Sequence, residues 1–159
     1  FTVILPFKID TNARPEEKED FDADISDIRV LLVEDNELNM EIAAEFFSIC
    51  GASVEKAWDG SEAVKLVKSM PEGYYTSIFM DIQMPIMDGY EATRQIRQLE
   101  QQQGRERTPI VAMSANAFNE DVSKAYLAGM DDYITKPMSL QEIKKVLQSI
   151  KEKEQQPEA

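Results

Sequence analysis

The sequence predicts an α/β fold, a flavodoxin-like (βα)5 three-layer sandwich whose parallel sheet runs in the order 2-1-3-4-5. Three observations carry this. Short, continuous apolar runs recur at residues 28–34, 75–80 and 109–113, and an unbroken run marks a strand buried on both faces. Segments with apolar residues at helical spacing separate these runs. Five strands alternating with five helices then leave few topologies. Crossovers between parallel strands are right-handed, and 2-1-3-4-5 is the common five-stranded solution.

The elements follow in order. The run IRVLLVE at 28–34 is the first strand. A helix is expected over 36–50, with Leu38, Ile42, Phe46, Ile49 and Cys50 at helical spacing and Gly51 ending it. Residues 52–57 form a short second strand. Residues 60–69 form a helix with Ala63, Leu66 and Val67 on one face, broken by Pro71 and Gly73. The third strand, 75–80, ends at Asp81, and the loop MPIMDG leads into a helix over 90–101. A fourth strand at 109–113 precedes a helix at 119–127, with Gly129 as its C-cap. The fifth strand is 132–135. Ser139 caps the last helix, Glu142 completes a capping box, and Leu140, Ile143, Val146, Leu147 and Ile150 are its buried stripe. The set Met80, Met84, Met87, Met113, Met130 and Met138 reads as core filler and loop packing.

Outside this pattern the chain changes character. Residues 1–9 (FTVILPFKI) form a short β-like run broken by Pro6. Residues 10–27 are polar and acidic and read as a linker, and residues 151–159 as a charged tail, so the folded domain is expected over 28–150. The first residue is Phe1, which suggests a fragment or a processed chain.

Composition narrows the function. With 159 residues, 43% of them hydrophobic, the chain can build one proper core. A net charge of −13 repels nucleic acid and anionic membranes, so neither is expected as a direct partner. No apolar run approaches the ~18 residues of a membrane span. The single cysteine, Cys50, excludes an internal disulfide and fits the cytoplasm. There is no histidine, so any histidine chemistry must come from a partner.

Ligands of such folds bind beyond the carboxyl ends of the strands. Those ends carry Glu34 and Asp35 after strand one, Asp81 after strand three, Ser114 and Ala115 after strand four, and Lys136 after strand five. Strands one and three are neighbours, so three carboxylates converge. Like charges at close quarters repel unless a cation sits among them, and an all-oxygen cluster suits magnesium. On the other flank a hydroxyl, a backbone N–H and an ammonium offer donors to anionic oxygens. A cation-binding half beside an anion-binding half is the arrangement of phosphoryl transfer. Asp81 is the candidate nucleophile, since an ionised carboxylate needs no general base. Singly, each residue reads as a turn acid, a loop hydroxyl or a surface charge; the signal lies in their combination.

LLVEDNELN, MDIQMPIMDGYEATRQIR, PIVAMSANA and GMDDYITKPM together resemble the receiver domains of bacterial two-component signalling, over about residues 28–150. The resemblance implies that Asp81 accepts a phosphoryl group from a phosphohistidine. It implies that Glu34, Asp35, Asp81 and the Gln83 carbonyl hold magnesium, with manganese as an alternative. Ser114, the Ala115 backbone and Lys136 would contact the phosphoryl group, and Tyr133 would turn inward as Ser114 moves, switching the face of helix four and strand five. It also implies a cis Lys136–Pro137 bond. Glu34 stands where many members carry aspartate. FTVILPF resembles the closing strand of histidine kinase ATP-binding domains. That implies a hybrid histidine kinase as parent, a kinase core in the parent chain or a histidine phosphotransfer protein as partner, and a relay role without a DNA-binding output domain. Contact with such a partner is expected through Leu38 and Met40, with Met40 the better probe. Two rivals are weaker. A haloacid-dehalogenase-type phosphatase would place its nucleophile after strand one with an acid two residues on, where this chain has Gln83 after Asp81. A degenerate docking receiver would lack site residues that are all present here.

Overall fold

The computed structural model describes residues 25–116 and 118–156. The proposed kinase remnant at 1–9 and all but the last residues of the expected linker lie outside the described residues, as do residues 157–159. Strands β1 (Arg29–Val33), β2 (Ser53–Ala57), β3 (Ser77–Asp81), β4 (Ile110–Ser114) and β5 (Asp132–Thr135) alternate with helices α1 (Glu37–Ile49), α2 (Gly60–Ser69), α3 (Gly89–Gln103), α4 (Asn119–Ala128) and α5 (Leu140–Gln155). The strands form one sheet in the order β2-β1-β3-β4-β5, every pair parallel. The expected topology is the one observed.

Each strand sends alternate side chains to opposite faces. Val30 and Leu32 join Phe79, Val111, Met113 and Ile134 beneath α1 and α5, whose Phe47, Ile143 and Leu147 complete that core. Leu31 and Val33 join Ile78, Met80, Ile110 and Ala112 on the other face, where Val67, Ala92, Ile96 and Ala125 supply the helical side. Strands this thoroughly covered read as unbroken apolar runs because neither face meets water.

Of the apolar residues at helical spacing in α1, Cys50 just past its end is buried and Phe46 packs against the core. The residues that α1 itself buries are Met40, Ala43 and Phe47, whereas Leu38, Ile42 and Ile49 are 68%, 46% and 55% exposed. Helix α1 carries two apolar stripes, and the one with the smaller residue at its centre faces the sheet. Ala43 lets the helix approach, and Phe47 meets Phe79 edge-on with ring centroids 4.7 Å apart.

Both ends of the domain run slightly further than expected. Ile25 packs against the α1–α5 core and accepts a hydrogen bond from the Ile28 N–H. Helix α5 continues to Gln155, into the stretch read as tail. Its Ser139 and Glu142 form the expected capping box. Of the methionines, Met80, Met113 and Met130 are buried in the core, and Met84, Met87 and Met138 pack at its margins. No helix among the described residues is long and apolar enough to cross a membrane.

Candidate functional site

The carboxyl ends of β1 and β3 place the acids. The Glu34 N–H donates to the Ala57 carbonyl at 3.1 Å, so Glu34 continues the sheet and its side chain is buried. Asp35 follows in the loop and is exposed. Asp81 is the last residue of β3 and only 5% exposed. Carboxylate oxygens of Glu34, Asp35 and Asp81 lie within 4.8 Å of one another. Three oxygen donors in that space, with no nitrogen or sulfur ligand among them, fit a hard divalent cation such as magnesium.

The loop after Asp81 is held by backbone approach. The Gly89 N–H donates to the Ile82 carbonyl at 2.9 Å. A Cβ on Gly89 would lie 2.2 Å from the Asp81 carbonyl oxygen, so only glycine fits there. Asp88 caps α3 by accepting from the Glu91 N–H. Asn36 caps α1 in the same way, through the Asn39 N–H. Sequence reasoning singled out none of these three, though the MDG and EDN triplets carry the signal: a short acid or amide just before a helix, with glycine where the backbone crowds.

Lys136 enters from the far side of the sheet. Its Nζ lies 2.6 Å from Glu34 Oε2 and 3.1 Å from Asp81 Oδ2. The Lys136–Pro137 bond is cis, as the resemblance implied. Burial pushes the Asp81 carboxyl up to about 7, the charge of Glu34 pushes it the same way, and the Lys136 ammonium opposes both. Burial works against the Lys136 charge too, yet its hydrogen bond to Glu34 and the charge of Asp81 prevail, and its pKa is raised. The site is therefore a crowded set of acids partly neutralised by the Lys136 ammonium.

Ser114 ends β4 and is buried, with its Oγ accepting from the Asn116 N–H at 3.2 Å. It lines a cleft with Gln83, Met84, Asp88, Tyr90 and Lys124, while Ala115 beside it is exposed. The backbone of Lys136 donates to the Ser114 carbonyl at 2.8 Å, which ties the ends of β4 and β5 together. Tyr133 packs against the α2–α3–α4 side of the core, and its buried hydroxyl has no hydrogen-bond partner among the described residues. The structure thus brings Glu34, Asp35, Asp81 and Lys136 into one cluster and sets Ser114 and Gln83 on its flank. Met40, expected as a surface probe, is fully buried; Leu38 is the exposed one.

The family model of the response regulator receiver domain matches residues 30–148. Hybrid signal transduction histidine kinase L of Dictyostelium discoideum is 39% identical over 119 residues, which is 75% of this chain and 7% of that protein. The chain therefore spans a small part of the curated relatives it matches. Among solved structures, the receiver domain of the response regulator Ssk1 of Saccharomyces cerevisiae, in complex with the histidine phosphotransfer protein Ypd1, gives a TM-score of 0.75 at 36% identity, covering 82% of this chain and 93% of that one. The receiver domain of sensor histidine kinase PA1611 of Pseudomonas aeruginosa, with magnesium coordinated in its active site cleft, gives 0.68 at 37% identity, covering 77% and 95%.

Proposed function

The chain belongs to the response regulator receiver domain family of two-component phosphorelays, and from that membership we propose that it accepts a phosphoryl group onto Asp81 from a phosphohistidine, with magnesium held by Glu34, Asp35, Asp81 and the Gln83 carbonyl. One observation carries this. Asp81 is a buried carboxylate at a strand end, with two further carboxylates within 4.8 Å and an ammonium at 3.1 Å. In the transfer an Asp81 oxygen bonds to phosphorus as the phosphorus–nitrogen bond of the donor imidazole breaks, and that nitrogen keeps the electron pair. A bound magnesium ion, or manganese in its place, supplies charge neutralisation for the transferring oxygens. Lys136 and the Ala115 N–H would steady those oxygens, and Ser114 would turn toward them from its present bond to Asn116. Tyr133 and the α4–β5 face would respond.

The domain acts as an acceptor without turnover of a free substrate, in the cytoplasm. Its parent would be a hybrid histidine kinase, with residues 1–9 the end of the ATP-binding domain, an acidic linker after them, and a receiver that runs from Ile25 through helix α5 to Gln155. The donor would be the kinase core of that chain, and onward transfer would go to a histidine phosphotransfer protein. The exposed Leu38 and Ile42 of α1 are the apolar contacts open to that partner.

The test is intact mass after incubation with acetyl phosphate and magnesium. The wild-type chain should gain one phosphoryl group, and the Asp81→Asn variant none. Equal uptake by the variant would overturn the assignment.

A further inference from the structure

Helix α4 is held mainly at one end. Its N-cap, Phe118, makes no side-chain hydrogen bond, whereas Asn36, Asp59, Asp88 and Ser139 cap α1, α2, α3 and α5. None of residues 119–124 is buried, and the helix buries Ala125 and Ala128, both in its second half. The first half is the one beside the site, since Asp121 and Lys124 line the cleft that Ser114 also lines. It is tied to α3 by the Tyr90 hydroxyl, which donates to the Asp121 carbonyl at 3.4 Å, long for such a bond.

The other end is fixed, at the pole of the sheet opposite Asp81. Two guanidinium groups converge on the turn between α4 and β5. Arg97 Nε and Arg107 Nη2 both donate to the Gly129 carbonyl, at 2.9 and 2.7 Å. Arg97 Nη2 and Arg107 Nε both donate to the Asp131 carboxylate, at 2.7 and 2.9 Å, and the Ile110 N–H joins them at 2.9 Å. Arg97 Nη1 reaches back to Glu100 Oε2 and the Thr108 carbonyl, both at 2.8 Å. Every nitrogen of the Arg97 guanidinium is thus engaged, and its side chain is 14% exposed. Cations at the C-terminus of a helix also complement its dipole. A fully bonded, enclosed network rigidifies what it joins. This one joins α3, the start of β4, the end of α4 and the start of β5.

We propose that Arg97, Arg107 and Asp131 are positioning residues that form a fixed pivot for the α4–β5 face, and that the phosphoryl signal moves the first half of α4 about it. A change at Ser114 meets the loose half of the helix first. The clamp keeps Gly129 and the start of β5 in place, so α4 tilts or unwinds from its Phe118 end and does not slide. This deepens the acceptor reading given above and rests on it.

The experiment is amide hydrogen exchange and chemical shift by NMR on the full chain, with magnesium and beryllofluoride as the phosphoryl probe. The Val122 N–H donates to the Phe118 carbonyl and the Met130 N–H to the Ala125 carbonyl, at 3.1 and 3.0 Å, so the two amides start from similar bonds. Without the probe, Met130 should be protected at least about tenfold more than Val122. The probe should shift the amides of 118–124 more than those of Gly129, Met130 and Asp131. Arg107→Met changes a side chain that is 54% exposed. It should lower Met130 protection at least about fivefold, leave that of Val122 unchanged, and let the probe shift both ends of α4 alike. Equal protection at the two ends, probe shifts spread evenly along α4 in wild type, or an unaltered Met130 in the variant would each overturn the pivot. If the variant does not fold, the wild-type comparison alone decides. A wild-type chain in which the probe shifts neither Asp81 nor α4 would overturn the acceptor reading and the pivot with it, whereas shifts at Asp81 that spread evenly along α4 would overturn the pivot alone.

Discussion

Replacing Asp81 by Asn should stabilise the metal-free domain, and the gain should depend on pH. The Asp81 carboxyl is pushed up to about 7, by burial first and the charge of Glu34 second, against the pull of Lys136. An unfolded aspartate titrates near 3.9, as model peptides do, to within about a unit. Between these values the folded chain keeps a proton that the unfolded chain has released. The unfolded state then binds fewer protons, so stability falls as the pH rises through the window from about 4 to about 7. By pH 8 the accumulated loss is about 4 kcal/mol. An amide has nearly the same shape, still accepts a hydrogen bond from Lys136 and does not ionise. Giving up an ion pair with Lys136 offsets part of the gain.

In a chelating buffer the Asp81→Asn variant should therefore exceed wild type by about 2–4 kcal/mol at pH 8, and by less than about 1 kcal/mol at pH 4.5. Urea unfolding midpoints across that range measure the difference, with the denaturant slope checked for constancy. Magnesium should narrow the gap at pH 8, because it binds the folded wild type better than the variant. A difference that stays the same at every pH, or a variant less stable than wild type at pH 8, would refute the claim that Asp81 ionises at a cost inside the fold.

Four other outcomes are expected. Asp35→Ala removes an exposed carboxylate of the cluster, so it should weaken magnesium binding about tenfold or more while the urea midpoint stays close to wild type. Gly89→Ala drives a methyl group to 2.2 Å from the Asp81 carbonyl oxygen, so the loop must shift; a loss of about 3 kcal/mol or more in urea unfolding is expected. Ile86 is a β-branched residue with φ at 71° and its side chain in solvent, and Ile86→Gly should stabilise by about 1 kcal/mol, read as a higher unfolding midpoint. Leu38→Asp should slow phosphoryl transfer from a phosphorylated kinase core while uptake from acetyl phosphate stays at the wild-type rate, since Leu38 is exposed and belongs to neither half of the site.

Much of the site was legible because each residue combines a position with a chemistry. Asp81 closes an unbroken apolar run, and an ionised group there has nowhere to point but the crevice at the sheet's end. Lys136 and Ser114 gained meaning the same way, from strand ends that the fold class fixed in advance. What escaped depends on distance in three dimensions. The Glu34–Lys136 contact joins residues 102 apart in sequence, across two intervening strands, and no local pattern encodes it. Gly89 escaped because the need for glycine lies in the carbonyl it faces. Helix α5 ran past its expected end because loss of apolar periodicity is not a stop signal. KEKEQ is made of good helix formers, and no breaker precedes Pro157.

Helix α1 shows the limit most clearly. Its sequence offers Leu38, Ile42, Phe46 and Ile49 on one stripe and Met40, Ala43 and Phe47 on another, both at helical spacing. Periodicity selects the helix but cannot choose between them, and residue size alone favours the first. The choice is made by the connection from β1. The Asn36 cap starts the helix two residues after Glu34, and that fixes its rotational phase over the sheet. With the phase fixed, Ala43 falls at the closest approach and Phe47 against Phe79, Phe46 packs at the margin, and Leu38, Ile42 and Ile49 are left in water. Leaving Leu38, Ile42 and Ile49 exposed forgoes several kcal/mol of burial in the isolated domain. That apolar surface remains for a partner to cover, and it begins at Leu38, beside the acids that such a partner must reach.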